Sequence, residues 1–208
     1  MTADYGNRSE ITLPDGSVVK LNSGSNIPYA YNSDHKIREI NFQGEGFFDV
    51  SKSADPFIVK MSDGLQLTVH GTAFNLRAYT GDPTIQTTLV EGSVELTHEN
   101  NNVRVQPGEI VIFDKESNKL THVDGISAHT YGWLENKLYM DEMSLSDVCR
   151  SLERTYDVTI TLQKELGESI HYNGVLQEET ITDVLDALSR LSKITYHVKG
   201  KNIRITSK

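Results

Sequence analysis

From residue 10 to about residue 123, apolar and polar positions alternate in short runs. Leu65, Leu67 and Val69 are interleaved with Gln66, Thr68 and His70; Phe74 and Leu76 with Asn75 and Arg77; Val94 and Leu96 with Glu95 and Thr97. A period of two turns one set of side chains to a core and the other to water, which predicts β-strands. The runs are separated by Asp15-Gly16, Asp63-Gly64, Gly81-Asp82-Pro83, Glu91-Gly92, residues 100–102 and Pro107-Gly108. These are turn residues, because glycine and asparagine accept positive φ and proline cannot continue a ladder. All five prolines (Pro14, Pro28, Pro56, Pro83 and Pro107) lie in this half. Residues 1–130 are therefore expected to form an all-β sandwich or roll, jelly-roll-like or short β-helix-like.

Past a polar stretch at residues 125–132 the period changes. Leu145, Val148, Cys149, Leu152 and Tyr156 recur at helical spacing, as do Ile181, Val184, Leu185 and Leu188. Each helix has a start signal: Ser144 precedes Asp147 by three residues, and Thr180 precedes Asp183 by three. A hydroxyl in that place caps the first turn, and the carboxylate suits the positive end of the helix dipole. The two segments are copies of one another. SLSDV, from Ser144, matches TITDV, from Thr180, and at the same offset Leu152 meets Leu188, Arg154 meets Arg190 and Val158 meets Ile194. β-rich runs follow each helix, at residues 158–162 and 194–198. Further strands fit at residues 137–140, 170–176 and 203–205. Residues 131–208 are thus expected to be a small duplicated β-α-β domain, and the whole chain mostly β with an α+β end.

Composition narrows the function classes. The 208 residues carry a net charge of −9, with no dense lysine or arginine stripe, so a phosphate backbone would be repelled and nucleic acid is not an expected partner. No run of about 18 apolar residues is present, and no signal-peptide pattern opens the chain. The single cysteine, Cys149, cannot form an internal disulfide. It falls on the apolar face of its helix, where a thiol acts as a small hydrophobe rather than a nucleophile.

Catalytic chemistry finds little support. The histidines (His35, His70, His98, His122, His129, His171 and His197) show no metal-ligand spacing, and His70 is expected to point outward. The GEG of residues 44–46 has no helix start or lysine after it, so it reads as a bend or bulge entering a strand instead of a phosphate loop. Glu45 and Asp49 could be written as a glycosidase acid and base, but two acids near a turn are common. Phe42, Phe47 and Phe48 could stack a sugar, though aromatic residues on strands usually fill a core. The expectation is no enzyme, with no catalytic, cofactor-binding or metal-binding residues and no cofactor.

Taken together, several runs resemble the FecR family of transmembrane signalling regulators. Residues 13–22 (LPDGSVVKLN) are similar to the opening of that family's periplasmic β domain, and residues 42–50 (FQGEGFFDV) to its GE-aromatic strand. Residues 56–59 (PFIV), 69–76 (VHGTAFNL), 90–96 (VEGSVEL) and 105–109 (VQPGE) follow in the family's order. Gly71 and Gly92 stand at strand ends, where a tight bend needs a residue without Cβ. Trp133, residues 136–139 (NKLY) and residues 145–158 resemble the join to a C-terminal domain like the short N-terminal domains of secretins and TonB-dependent transporters.

The resemblance implies an anti-sigma regulator whose periplasmic part touches the N-terminal signalling domain of an outer-membrane TonB-dependent transporter. It implies a sigma factor as partner through a cytoplasmic segment not contained in these residues. It implies a periplasmic location, anchored in the inner membrane by an upstream transmembrane helix, with self-association no stronger than a weak dimer. This sequence would then be an excised fragment. A sheet edge in the C-terminal domain is the expected contact, with Ile203, Arg204 and Ile205 as partner-binding residues on the premise that the terminal run is an edge strand. The rival readings are a glycan-binding module of the cell envelope, which requires an exposed aromatic platform, and a ring-forming envelope component.

Overall fold

Alternation and turn chemistry determine how the first part of the chain is laid down. The computed structural model describes residues 1–28, 38–99, 101–123, 127–177 and 179–208; His35 lies outside them, as do the first residue of the turn at 100–102 and the start of the polar stretch at 125–132. The chain divides into two compact units, Met1–Tyr131 and Gly132–Lys208. The strands of the first are β1 (Thr2–Ala3), β2 (Ser9–Thr12), β3 (Val18–Leu21), β4 (Ser25–Asn26), β5 (Arg38–Asn41), β6 (Gly44–Asp49), β7 (Phe57–Lys60), β8 (Gln66–Val69), β9 (Ala73–Ala78), β10 (Thr84–Glu91), β11 (Val94–His98), β12 (Asn101–Val105), β13 (Ile110–Asp114) and β14 (Lys119–Val123). A short helix, α1 (Ser127–Thr130), follows them.

Two sheets result, one of seven strands in the order β14-β13-β10-β9-β6-β3-β2 and one of five in the order β12-β11-β8-β7-β5. From β7 onward the chain places successive hairpins on the two sheets in turn: β7–β8 on the smaller, β9–β10 on the larger, then β11–β12 and β13–β14. Inward residues of both sheets form one hydrophobic cluster. Leu21, Phe48, Phe74, Leu76 and Ile85 come from the larger sheet, and Ile40, Phe57, Val59, Leu67 and Leu96 from the smaller. This is a β-sandwich. All pairings in the two sheets are antiparallel except β5 with β7, so the chain does not coil as a β-helix.

Each switch between sheets needs a sharp bend. Gly71 lies between β8 and β9, with φ of 148°, and Gly92 between β10 and β11, with φ of 95°. A Cβ on Gly92 would come within 2.9 Å of the Gly71 carbonyl oxygen and 2.8 Å of Thr72 Oγ1. Two crossovers therefore press against each other, and only glycine supplies both the left-handed φ and the close approach.

The second unit opens with a 3₁₀ turn, Gly132–Glu135, and continues with β15 (Lys137–Ser144), α2 (Leu145–Tyr156), β16 (Thr159–Leu162), β17 (His171–Gln177), α3 (Ile181–Leu191), β18 (Ile194–Lys199) and β19 (Asn202–Ser207). The predicted caps form. The Ser144 hydroxyl accepts from the Asp147 N–H at 3.1 Å. The Thr180 hydroxyl accepts from the Asp183 N–H at 3.2 Å, and the Asp183 carboxylate accepts from the Thr180 N–H. The copies β15-α2-β16 and β17-α3-β18 pack Val148, Cys149 and Leu152 of one helix and Val184, Leu185 and Leu188 of the other into one core, with Met140, Tyr172, Ile194, Ile203 and Ile205. Cys149 stands at the position that Leu185 fills in the second copy, so the thiol fills apolar space.

The strands of the duplicate pair off. β15 and β17 form an antiparallel pair, while β16 and β18 belong to a three-stranded sheet in the order β16-β19-β18. β19 leaves β18 through a tight turn, pairs with it antiparallel, and takes β16 in parallel on its other side. The last strand is central, not an edge.

Candidate functional site

Two arrangements of polar groups stand out, one in each unit. The first is centred on Glu45. Because Phe48 on β6 points into the core, stacked on Phe74 at 4.8 Å and edge-on to Phe42 at 5.1 Å, the alternate residues Glu45 and Phe47 lie on the opposite face of the seven-stranded sheet. The same alternation brings Asn75 and Arg77 of β9 to that face, with Glu45 directly opposite Arg77 in the ladder.

Glu45 is buried, at 5% exposure, yet its carboxylate is well held. One oxygen accepts from Asn22 Nδ2 at 2.8 Å and the other from Asn75 Nδ2 at 3.3 Å. Its main-chain N–H donates to Ser25 Oγ at 2.8 Å, and its carbonyl accepts from the Ser25 hydroxyl at 2.9 Å. Arg8 Nε donates to Asn22 Oδ1 at 2.9 Å, closing the cluster toward the N-terminus. Arg77 donates through Nε and Nη2 to one oxygen of Asp82, at 3.1 and 2.9 Å. Burial pulls the Arg77 guanidinium down, but the Glu45 and Asp82 carboxylates outweigh it and hold the group above its ordinary value. Asn75 also donates to the Thr130 carbonyl at 3.2 Å, and the Thr130 hydroxyl meets that of Thr88 at 2.8 Å. Tyr131 packs edge-on to Phe47 at 5.8 Å. Segments at both ends of the first unit are thereby fastened to one sheet face, an arrangement suited to holding structure together.

Asp49 is exposed while Glu45 is buried, so the two do not share an environment as an acid and base pair would. Phe42 and Phe48 are core residues, and Phe47 is covered in part by Tyr131. His70 is exposed. Among the described residues, no group of three or more histidine, cysteine, aspartate or glutamate side chains could hold a metal ion. Burial, reinforced by Glu153 and opposed by Arg150, pushes the Cys149 thiol up to about 12, the reverse of what activates a nucleophile.

The second arrangement is the three-stranded sheet of the second unit. Residues 203–205 do not form the edge expected from their place at the end of the sequence. β19 is hydrogen-bonded on both sides, and Ile203 and Ile205 are at most 1% exposed in the core. No strand can be added at Ile203, Arg204 or Ile205, because their main-chain groups are already paired. The edges of this sheet are β16 and β18, each of which meets only β19 within it; the Ile160 N–H of β16 donates to Glu153 Oε1 at 2.7 Å, and the Ile194 carbonyl of β18 accepts from the Ser189 hydroxyl at 2.9 Å. Arg204 remains available through its side chain, which points away from the core and is exposed. Strand alternation signals in the sequence that Glu45, Asn75 and Arg77 share a face, but not that they meet. Nor does local sequence reveal that β16 reaches across to β19.

Residues 1–95 match the family model described as FecR protein, and residues 137–205 match the one described as FecR, C-terminal. Two crystal structures of a protein described as a "putative anti-sigma factor" from Parabacteroides distasonis ATCC 8503, at 1.65 and 2.50 Å resolution, are similar to this chain throughout. Each superposes with a TM-score of 0.92 at 27% identity, covering 100% of this chain and 98% of the other. No curated protein sequence matches the chain.

Proposed function

The chain belongs to the FecR family of anti-sigma signalling regulators, and on that premise we propose that it relays the state of an outer-membrane TonB-dependent transporter, from the periplasm, to a sigma factor. The observation that carries this reading is the open sheet of the second unit. Its helices cover one face, its other face is bare, and β16 and β18 form its two edges, with the Ile160 N–H already donating to Glu153 and the Ile194 carbonyl accepting from Ser189 but no further strand alongside within the sheet. Such an edge accepts a partner strand through main-chain hydrogen bonds, with alternate side chains supplying selectivity. In this reading the second unit receives the transporter's signalling domain. The resulting change frees or activates the sigma factor, which is held by a cytoplasmic segment beyond a membrane anchor outside these residues. Among the described residues, no helix is long and apolar enough to cross a membrane.

The glycan-binding rival needs aromatic rings open to a sugar. Phe42 and Phe48, its first candidates, are buried in the sandwich core. The test is calorimetry of the 208-residue chain against isolated signalling domains of TonB-dependent transporters from the same cell. Saturable one-to-one binding of one such domain is expected. Absence of heat with every domain, together with binding of an oligosaccharide, would replace the relay with the glycan reading.

A further inference from the structure

We infer that the bare face of the β16-β19-β18 sheet, centred on Arg204, is a docking surface for an acidic segment of a protein partner. This rests on the reading that the second unit is the one that docks, and it specifies where and by what chemistry. Because Ile203 and Ile205 face the core, the alternate residues of all three strands face outward together. The ladders set Thr161, Arg204 and His197 in one row across the sheet, and Thr159, Asn202 and Lys199 in the next. All six are exposed.

Charge is segregated here. Residues 191–208 hold five lysine or arginine side chains and no aspartate or glutamate, in a chain whose net charge is −9. Two of the five are occupied: Lys201 pairs with Asp157, and Lys208 donates to the Ser189 carbonyl at 2.6 Å. The side chains of Arg204, His197 and Lys199 make no hydrogen bond or ion pair among the described residues. An exposed ion pair on a mobile side chain contributes little. Arg204 differs in being rooted in a strand paired on both sides, with a hydroxyl on one flank and an imidazole on the other. Its planar fork matches a carboxylate bidentately, and the neighbouring donors suit a second acceptor. A nucleic acid would be repelled by the rest of the molecule. The threonines of β16 and Asn202 beside the basic side chains favour short-range recognition of carboxylates over diffuse attraction to a lipid surface, where polybasic clusters and apolar wedges are the rule.

The experiment is amide NMR on the full chain, titrated in low salt with a peptide of ten glutamates. Shifts should concentrate at Thr159, Thr161, His197, Lys199 and Arg204, and should fade at high salt. Arg204→Glu should weaken the peptide roughly tenfold or more, the loss expected of a charge-assisted pair, with Arg204→Gln intermediate. Both variants should melt with the wild type, since Arg204 is exposed and unpaired. Shifts elsewhere, or none at millimolar peptide, would overturn the inference. So would binding of phosphatidylglycerol vesicles through the same residues with the peptide silent, which would assign the face to lipid. Broadening at these residues with protein concentration alone would overturn it too, in favour of a second copy. If a transporter signalling domain binds the wild type and Arg204→Glu equally, the docking face is wrong and the relay stands. If no such domain binds while the peptide does, the relay is wrong and the acidic-segment face stands.

Discussion

Replacing Glu45 with alanine is expected to loosen the first unit specifically. The carboxylate is 5% exposed and serves as acceptor for Asn22 Nδ2 and Asn75 Nδ2. Its removal takes the acceptor from two buried amide N–H groups, at about 1–3 kcal/mol each. It also removes one of the two carboxylates that offset the burial of Arg77. Water entering the space recovers part of this, so about 3 kcal/mol is the expected net loss. For a unit of this size, 1 kcal/mol corresponds to roughly 3–5 °C, which puts the fall in melting temperature at about 10 °C. Glu45→Gln keeps one acceptor oxygen but turns an NH₂ toward an amide donor, so about half the loss should remain. Differential scanning calorimetry of the full chain measures both, with the second unit's transition as an internal reference. If Glu45→Ala melts within about 2 °C of the wild type, the cluster does not hold the sandwich together and the argument from buried, matched donors fails here.

Cys149 should react slowly with thiol reagents until denaturant is added, and Cys149→Ser should cost about 1–3 kcal/mol by burying a hydroxyl among apolar groups. Its thiol is raised from 9.0 to about 12 in the folded chain. The unfolded chain therefore sheds that proton first, so the contribution is complete below pH 9 and is lost as pH climbs toward 12. Cys149→Ala should flatten that alkaline slope, and rapid native-state labelling would show the helix face to be assigned wrongly. Residues 132–208 expressed alone should unfold in one cooperative transition, because the second unit has its own core; a fragment that binds hydrophobic dye without a transition would refute its independence.

Much of this molecule is written in local sequence. Period-two alternation marked β8, β9 and β11. Ser144 and Thr180 announced their helices through hydroxyls that need only residues three positions away, and the repeat between Ser144 and Thr180 exposed the duplication before any contact was known. Cys149 could be read as core filler because helical spacing alone puts it beside Val148 and Leu152. These features depend on torsions and neighbours within a turn or two of chain. What tertiary structure decided depends on pairing between distant segments. Sandwich, roll and β-helix share one alternation pattern, and the choice came from which hairpin lay on which sheet. Glu45 reads from sequence as an ordinary acid near a turn, and only its meeting with Asn22, Asn75 and Arg77 made it a buried anchor. Residues 203–205 look like a free edge because they end the chain. They lie at the centre of a sheet because β16, more than forty residues earlier, closes their open side. A strand's own residues specify its two faces, but its two edges are specified by whatever else the fold brings alongside.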